Sequence, residues 1–243
     1  MKTWYLCVSI SALLLLLFSP TVHAQTQNLF FVPPSYPGPA QTFTADFNGD
    51  GKTDLVGADG TVALGNGDGT FTTGTPLAGL QGQFKVVGVG DFNGDGKVDL
   101  VVTNSTNLDI FFGNGDGTFQ APIITNIGTG LGAVVVVDLN NDGKLDVVGL
   151  SPAALVFVLL GKGNGTFAPG VTYPALTNTT NLLTVADFNN DGKLDIALAS
   201  DNGTGTAGSL GVLLGKWRRN LSNSNHFDWY NQSIFVRSKR LQR

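Results

Sequence analysis

No glutamate occurs anywhere in the 243 residues, and the chain has one cysteine, Cys7, and two histidines, His23 and His226. Between Gln25 and Lys216 there is no His, Cys, Glu, Arg or Trp. A Ser-His-Asp triad and a His-rich zinc site both need residues that this stretch does not contain. A lone thiol forms no intrachain disulfide. Nucleic acid is excluded as a partner, because a phosphate backbone is held by basic patches and this region has none. No segment of ten or more residues after Ala24 carries a helical pattern of apolar residues. Gly (33) and Pro (10) stay below the share that marks disorder, so the chain is ordered and rich in turns.

The residue present in quantity is aspartate. Seventeen Asp face seven Lys between Gln25 and Lys216, a net charge of −10. Twelve of them fall in four copies of one phrase: ADFNGDGKTDL from Ala45, GDFNGDGKVDL from Gly90, VDLNNDGKLDV from Val137 and ADFNNDGKLDI from Ala186. Oxygen-bearing residues recur at positions 1, 3, 5 and 9 of each loop. They are Asp46, Asn48, Asp50 and Asp54; Asp91, Asn93, Asp95 and Asp99; Asp138, Asn140, Asp142 and Asp146; Asp187, Asn189, Asp191 and Asp195.

This spacing suits a hard cation. Ca²⁺ takes six to eight oxygens at about 2.3–2.6 Å, and alternate side chains converge when the backbone curls. Position 6 is Gly in every copy (Gly51, Gly96, Gly143, Gly192), which permits the positive φ of a curl. Position 4 is Gly49, Gly94, Asn141 or Asn190, the residue types that best tolerate a left-handed backbone. Position 7 offers a backbone carbonyl, from Lys52, Lys97, Lys144 and Lys193, with side chains free to reach water. Carboxylates about 4 Å apart repel by about 1 kcal/mol per pair even in water, so each loop should loosen without a cation. The sequence therefore predicts up to four Ca²⁺, one per copy, which would bring the net charge to −2. An EF-hand is excluded, because its twelfth position is a bidentate Glu and here stand Gly57, Val102, Gly149 and Leu198.

The loop starts lie 45, 47 and 49 residues apart, a period typical of repeat arrays. A second phrase follows each of the first three: LGNGDGTF at Leu64, FGNGDGTF at Phe112 and LGKGNGTF at Leu160. A unit then reads as apolar run, acidic loop, apolar run, variable loop, apolar run, tight Gly-Asn/Asp turn and final run. Those runs are four short β-strands, rich in β-branched and aromatic residues. The Gly-rich phrase joins strand to strand and is a hairpin turn, since no helix N-terminus follows to receive an anion.

On these two phrases the chain resembles the FG-GAP/VCBS repeat, the unit of the integrin α-subunit propeller and of many secreted bacterial proteins. The resemblance runs from about Gln41 to Lys216. It implies an all-β fold of β-propeller-type repeats, four blades of about four short antiparallel strands, with the calcium loop between the two inner strands of each blade. It carries the metal sites over onto the sixteen residues above and the four Lys carbonyls. It does not fix a partner, for the family includes ligand-binding, adhesion, lectin and enzyme-accessory proteins.

The ends depart from the pattern. Residues 1–24 read as a secretory signal peptide: Lys2, an apolar run from Val8 to Phe18, and a small-residue cleavage site at Val22-His23-Ala24. Cys7 lies inside it, and no membrane span follows its removal. Residues 25–40 are Pro-rich, and NLFFVPPSY (28–36) resembles the outer strand of a blade. The repeats occupy 41–216, and 217–243 is an atypical basic tail, read as a frameshifted or truncated end, with a disordered segment, a tail binding an acidic surface or membrane, and an irregular cap as the other readings. The expected location is secreted or extracellular, with the periplasm or cell surface included. The function expected is calcium-stabilised binding of an extracellular protein or glycan, without catalysis. The alternative is a non-catalytic accessory fragment of a larger secreted enzyme.

Overall fold

The computed structural model of the chain describes residues 42–78, 84–176, 182–201 and 208–215, together with short strands at 217–219, 225–227 and 230–232. The predicted signal peptide, the 25–40 segment with its outer-strand motif, Lys216 and most of the 217–243 tail lie outside the described residues.

Four four-stranded antiparallel sheets follow one another, and among the described residues there is no helix. The first sheet is β1 (Thr42–Ala45), β2 (Asp54–Gly57), β3 (Val62–Gly65) and β4 (Phe71–Thr73); the second is β5 (Phe84–Gly90), β6 (Asp99–Asn104), β7 (Asn107–Phe111) and β8 (Ile123–Asn126). The third is β9 (Ala133–Val137), β10 (Asp146–Leu150), β11 (Leu155–Leu159) and β12 (Val171–Pro174). In each, strands are ordered as in the sequence, the acidic loop joins the first two, and the Gly-rich phrase joins the last two. The fold is all-β, built of four propeller-type blades, as the two phrases predict.

The fourth blade adds a detail absent from the sequence pattern. Its strands are β13 (Leu182–Ala186), β14 (Asp195–Asp201) and β15 (Gly208–Leu214), and the outer position is taken by β18 (Tyr230–Gln232) from the tail. Between them, β16 (Trp217–Arg219) and β17 (Asn225–Phe227) pair as a separate hairpin.

Alternation along the middle strands builds three cores between successive blades. On β6, Leu100 and Val102 face the first blade, where they meet Phe47, Val56 and Val62. Val101, between them, points the other way and joins Leu108, Ile110, Val147 and Leu159. Val148, Leu150, Val156 and Val158 of the third blade likewise pack on Ile196, Leu198 and Leu213 of the fourth. Because both faces of an inner blade are covered, β6 and β10 read as continuous apolar runs and not as apolar-polar alternation. Each fully buried Val, Leu or Ile contributes about 1.5–3 kcal/mol.

A second device repeats between blades. The Gly117 N–H donates to the Phe47 carbonyl (3.0 Å) and the Gly165 N–H to the Phe92 carbonyl (3.1 Å). Beside these bonds Phe47 meets Phe119 edge-on with ring centres 5.8 Å apart, and Phe92 meets Phe167 at 6.2 Å. Phe47 and Phe92 thus dock on the Gly-rich phrase of the next blade.

Candidate metal centres

Each acidic loop is held by its own side chains. Asp46 Oδ1 accepts from the Gly49 and Asp50 N–H groups, and its Oδ2 from Gly51 N–H at 2.8 Å. Asn48 Oδ1 accepts from Asp50 N–H, and Asp50 Oδ1 from Lys52 N–H. The same set recurs around Asp91, and its main bonds around Asp138 and Asp187. Position 4 adopts the left-handed backbone the sequence predicts, with φ of 74° at Gly49, 77° at Gly94, 55° at Asn141 and 59° at Asn190. The position-7 lysines do not all point into water. Lys52 and Lys193 lie 3.2 Å from Asp50 and Asp191, and Lys144 lies 3.9 Å from Asp142.

The closing aspartates behave differently. Asp54, Asp99, Asp146 and Asp195 are 0% exposed. One oxygen of each accepts from the N–H of loop position 2: Phe47 at 2.8 Å, Phe92 at 2.8 Å, Leu139 at 2.9 Å and Phe188 at 3.0 Å. The other accepts from the first Gly of the Gly-rich phrase: Gly65 at 2.7 Å, Gly113 at 2.9 Å, Gly161 at 2.7 Å and Gly215 at 2.7 Å. This carboxylate is a clamp joining the acidic loop to the third strand of its blade. Those glycines are required by space. A Cβ on Gly65, Gly113, Gly161 or Gly215 would stand 2.1, 2.3, 2.0 or 2.3 Å from the backbone oxygen of Thr53, Val98, Leu145 or Leu194.

The sequence pattern thus separates into two groups of residues. Positions 1, 3, 5 and 7 stay together at the exposed loop, and position 9 is buried behind them, near enough that Asp91 and Asp95 act on the Asp99 carboxyl. As placed, the Asp side chains form no ready-made cluster of three or more Asp, Glu, His or Cys among the described residues. The donors that each loop keeps are two carboxylates, one amide oxygen and the Lys carbonyl, all hard oxygens. With water completing the shell they fit Ca²⁺, for which oxygen ligands in a flexible arrangement suffice.

Burial pushes the Asp99 carboxyl up to about 6, offset in part by the Gly113 and Phe92 N–H bonds and reinforced by repulsion from Asp95 and Asp91. Asp146 is pushed up to about 7 by the same causes. Backbone N–H bonds from Lys52 and Lys97 hold Asp50 and Asp95 below the ordinary carboxylate value instead. A raised folded-state value gives stability that is present below the unfolded value of 3.8 and is lost as pH rises through 6 and 7. The lowered exposed groups act in the opposite sense, but below the ordinary value. Melting of the metal-free protein should therefore fall by several degrees as pH rises from about 4 to about 7.5. A melting temperature that climbs across that interval would contradict the burial assigned to Asp99 and Asp146.

A concave site of about 500 Å³ lies at the end of β6 away from the acidic loop, lined by Asp59, Phe84, Lys85, Thr103, Asn104 and Ser105 among others. Asn104 Nδ2 reaches Asp109 Oδ2 at 3.4 Å, while Asp109 Oδ1 is buried without a partner. Burial pushes the Asp109 carboxyl up. In the sequence Asp59 and Asp109 look scattered; Asp59 lines this concavity, and Asp109 lies behind it as a partner of Asn104. An Asp inside the apolar run NLDIFF was the available signal.

The profile of the FG-GAP-like repeat matches residues 46–102, 91–149 and 138–198. No curated protein matches the chain. Among solved structures, the chain is similar to an Agrocybe aegerita lectin described for its specific recognition of non-reducing terminal N-acetylglucosamine. The two share 21% identity over 72% of this chain, with a TM-score of 0.50, and the match spans about half (48%) of the lectin chain. That likeness concerns the fold. The three overlapping matches cover more than half of the chain and contain the clamp of every blade but the last, so the chain belongs to the FG-GAP-like repeat family.

Proposed function

We propose that this chain is a secreted, calcium-stabilised propeller module that binds glycans. The observation that carries the reading is the separation within each acidic phrase. A buried Asp holds the blade while two further carboxylates, an amide oxygen and a carbonyl are left together at the exposed loop. Residues at positions 1, 3, 5 and 7, with the position-9 carboxylate behind them, would hold Ca²⁺, and the cation would neutralise carboxylates that otherwise repel. Support for a glycan comes from the concavity at the opposite end of β6. It sets the Phe84 ring among hydrogen-bonding groups of both kinds, which suits a sugar's hydroxyls and apolar ring face. The lectin sharing the fold makes terminal N-acetylglucosamine the first probe. Secretion supplies both the cation and the glycans, and catalysis has no assigned place.

The test is thermal melting and glycan-array binding, each with and without calcium. Calcium should raise the melting temperature and chelator should lower it. Asp91→Ala with Asp95→Ala should remove one site's share, about 2.7 kcal/mol when calcium stands at a hundredfold excess over Kd. Unchanged melting in chelator would refute the calcium reading. On the array, Lys85→Ala should strongly weaken binding of N-acetylglucosamine-terminated glycans without changing melting. Binding to no glycan would remove the glycan reading and leave a protein partner.

A further inference from the structure

Apart from the concavity at Asp59 and Lys85, a second one of about 450 Å³ opens between the second and third blades, and the two share no lining residue. Its floor is apolar. Phe157, Leu159 and Phe167 of the third blade line it, with Ile127 after β8, and all four also belong to the core between the two blades or pack against it. Phe157 and Ile127 are only half-buried, so part of each is left to the concavity.

The polar groups around that floor are mostly donors. Thr125, Asn126 and Lys162 supply them, and no carboxylate is among the lining residues. Lys162 is exposed and has no ion pair among the described residues. Asn126 Oδ1 already accepts from Gly128 N–H at 2.9 Å, which leaves the amide its two donors. A neutral sugar asks for acceptors as well, as at Asp59 in the other concavity; an anion does not. The first two blades differ here. Counted from Gly113 and Gly161, the second blade has Asp109, Asn114 and Asp116 where the third has Phe157, Lys162 and Asn164. The first blade likewise has Asn66 and Asp68 after Gly65. In a region of net charge −10, this one stretch exchanges two acids for an aromatic ring and an amide, and gains a cation.

We propose that this concavity binds a small aromatic carboxylate, an apolar ring system bearing one acid group. Its volume is that of a small-ligand site, with apolar walls and few polar groups to fix orientation. The ring lies against Phe157 and Phe167, where contact between aromatic rings adds to apolar burial. The carboxylate meets the Lys162 ammonium and the Asn126 amide, both donors, in charge-assisted hydrogen bonds. Asn164 in place of an acid removes the negative charge that the first two blades carry two residues from this position.

Titration calorimetry of the full chain in calcium, with naphthoate as the probe, tests this. Naphthoate should bind, and naphthylmethanol, which keeps the ring and lacks the charge, should bind about fivefold more weakly. Lys162→Asn and Asn164→Asp install the residues that the first two blades carry. The turn keeps its bonds, since Asp116 accepts from Thr118 N–H as Asn164 does from Thr166 N–H. Lys162→Asn should weaken naphthoate binding about fivefold and Asn164→Asp should weaken it in the same direction, with melting and naphthylmethanol binding unchanged. Absence of naphthoate binding overturns the proposal. So does equal affinity for the two probes, or naphthoate binding indifferent to both substitutions, which would place the site elsewhere.

Discussion

Asp146→Ala is expected to lower folding stability by about 4 kcal/mol, although the residue lies in a loop pattern that reads as metal-binding. The carboxylate is fully buried and accepts from Leu139 N–H at 2.9 Å and Gly161 N–H at 2.7 Å. Alanine leaves two buried donors without acceptors, at about 1–3 kcal/mol each, and adds a small cavity. Urea unfolding in chelator isolates this cost from any metal contribution. Asp142→Ala is the matched control. Asp142 belongs to the same loop but is partly exposed, so water replaces its Lys144 N–H bond and its loss without metal should cost about 1 kcal/mol. Asp146→Asn keeps one acceptor and should restore about half of the loss. Equal effects at 142 and 146 would mean that the closing Asp is an ordinary loop residue and that the clamp is not a stability element.

Gly161→Ala should be the second severe change, at about 3 kcal/mol or more. Its Cβ would stand 2.0 Å from the Leu145 backbone oxygen, which no side-chain rotation relieves. The strand must move away, and the Gly161 N–H bond to Asp146 moves with it. Gly143→Ala in the acidic loop makes the control. Gly143 has φ of 82° and open space where a Cβ would go, so alanine there costs only the left-handed strain of about 1–2 kcal/mol. Should Gly143→Ala prove the worse of the two, conformational freedom and not space would be what the Gly-rich phrase supplies.

These controls mark where sequence reasoning reached and where it stopped. The curl of each acidic loop was legible, because Gly or Asn at position 4 and Gly at position 6 have one backbone use in common. Strand count and order were legible from apolar runs such as VDLVVTN between turn signals. The fate of position 9 was not. A carboxylate at that spacing can serve a cation, a buried N–H or both, and only the partner across the blade, Gly65 or its equivalents, reveals the second use. Those glycines read as hairpin residues, but the positive φ belongs to Gly67, Gly115 and Gly163 two positions on. Close approach between strands leaves no mark in a one-dimensional pattern. The outer strand of the fourth blade escaped for a related reason. β18 comes from a segment whose composition breaks with the repeats, and it pairs through backbone groups that any residue carries.

The clamp spans 11, 14, 15 and 20 residues in the successive blades, always closing at 2.7–2.9 Å. Stretching the intervening segment from the shortest to the longest adds only about 0.5 kcal/mol of closure entropy. In the first three blades the segment that absorbs those extra residues crosses the end of the blade opposite the acidic loop. Foreign peptides grafted between β14 and β15 should then be accommodated while Asp195 and Gly215 keep the sheet in register. The blade is a frame that tolerates rewriting of one edge, and a lineage carrying it can vary what that edge touches without relearning how to fold.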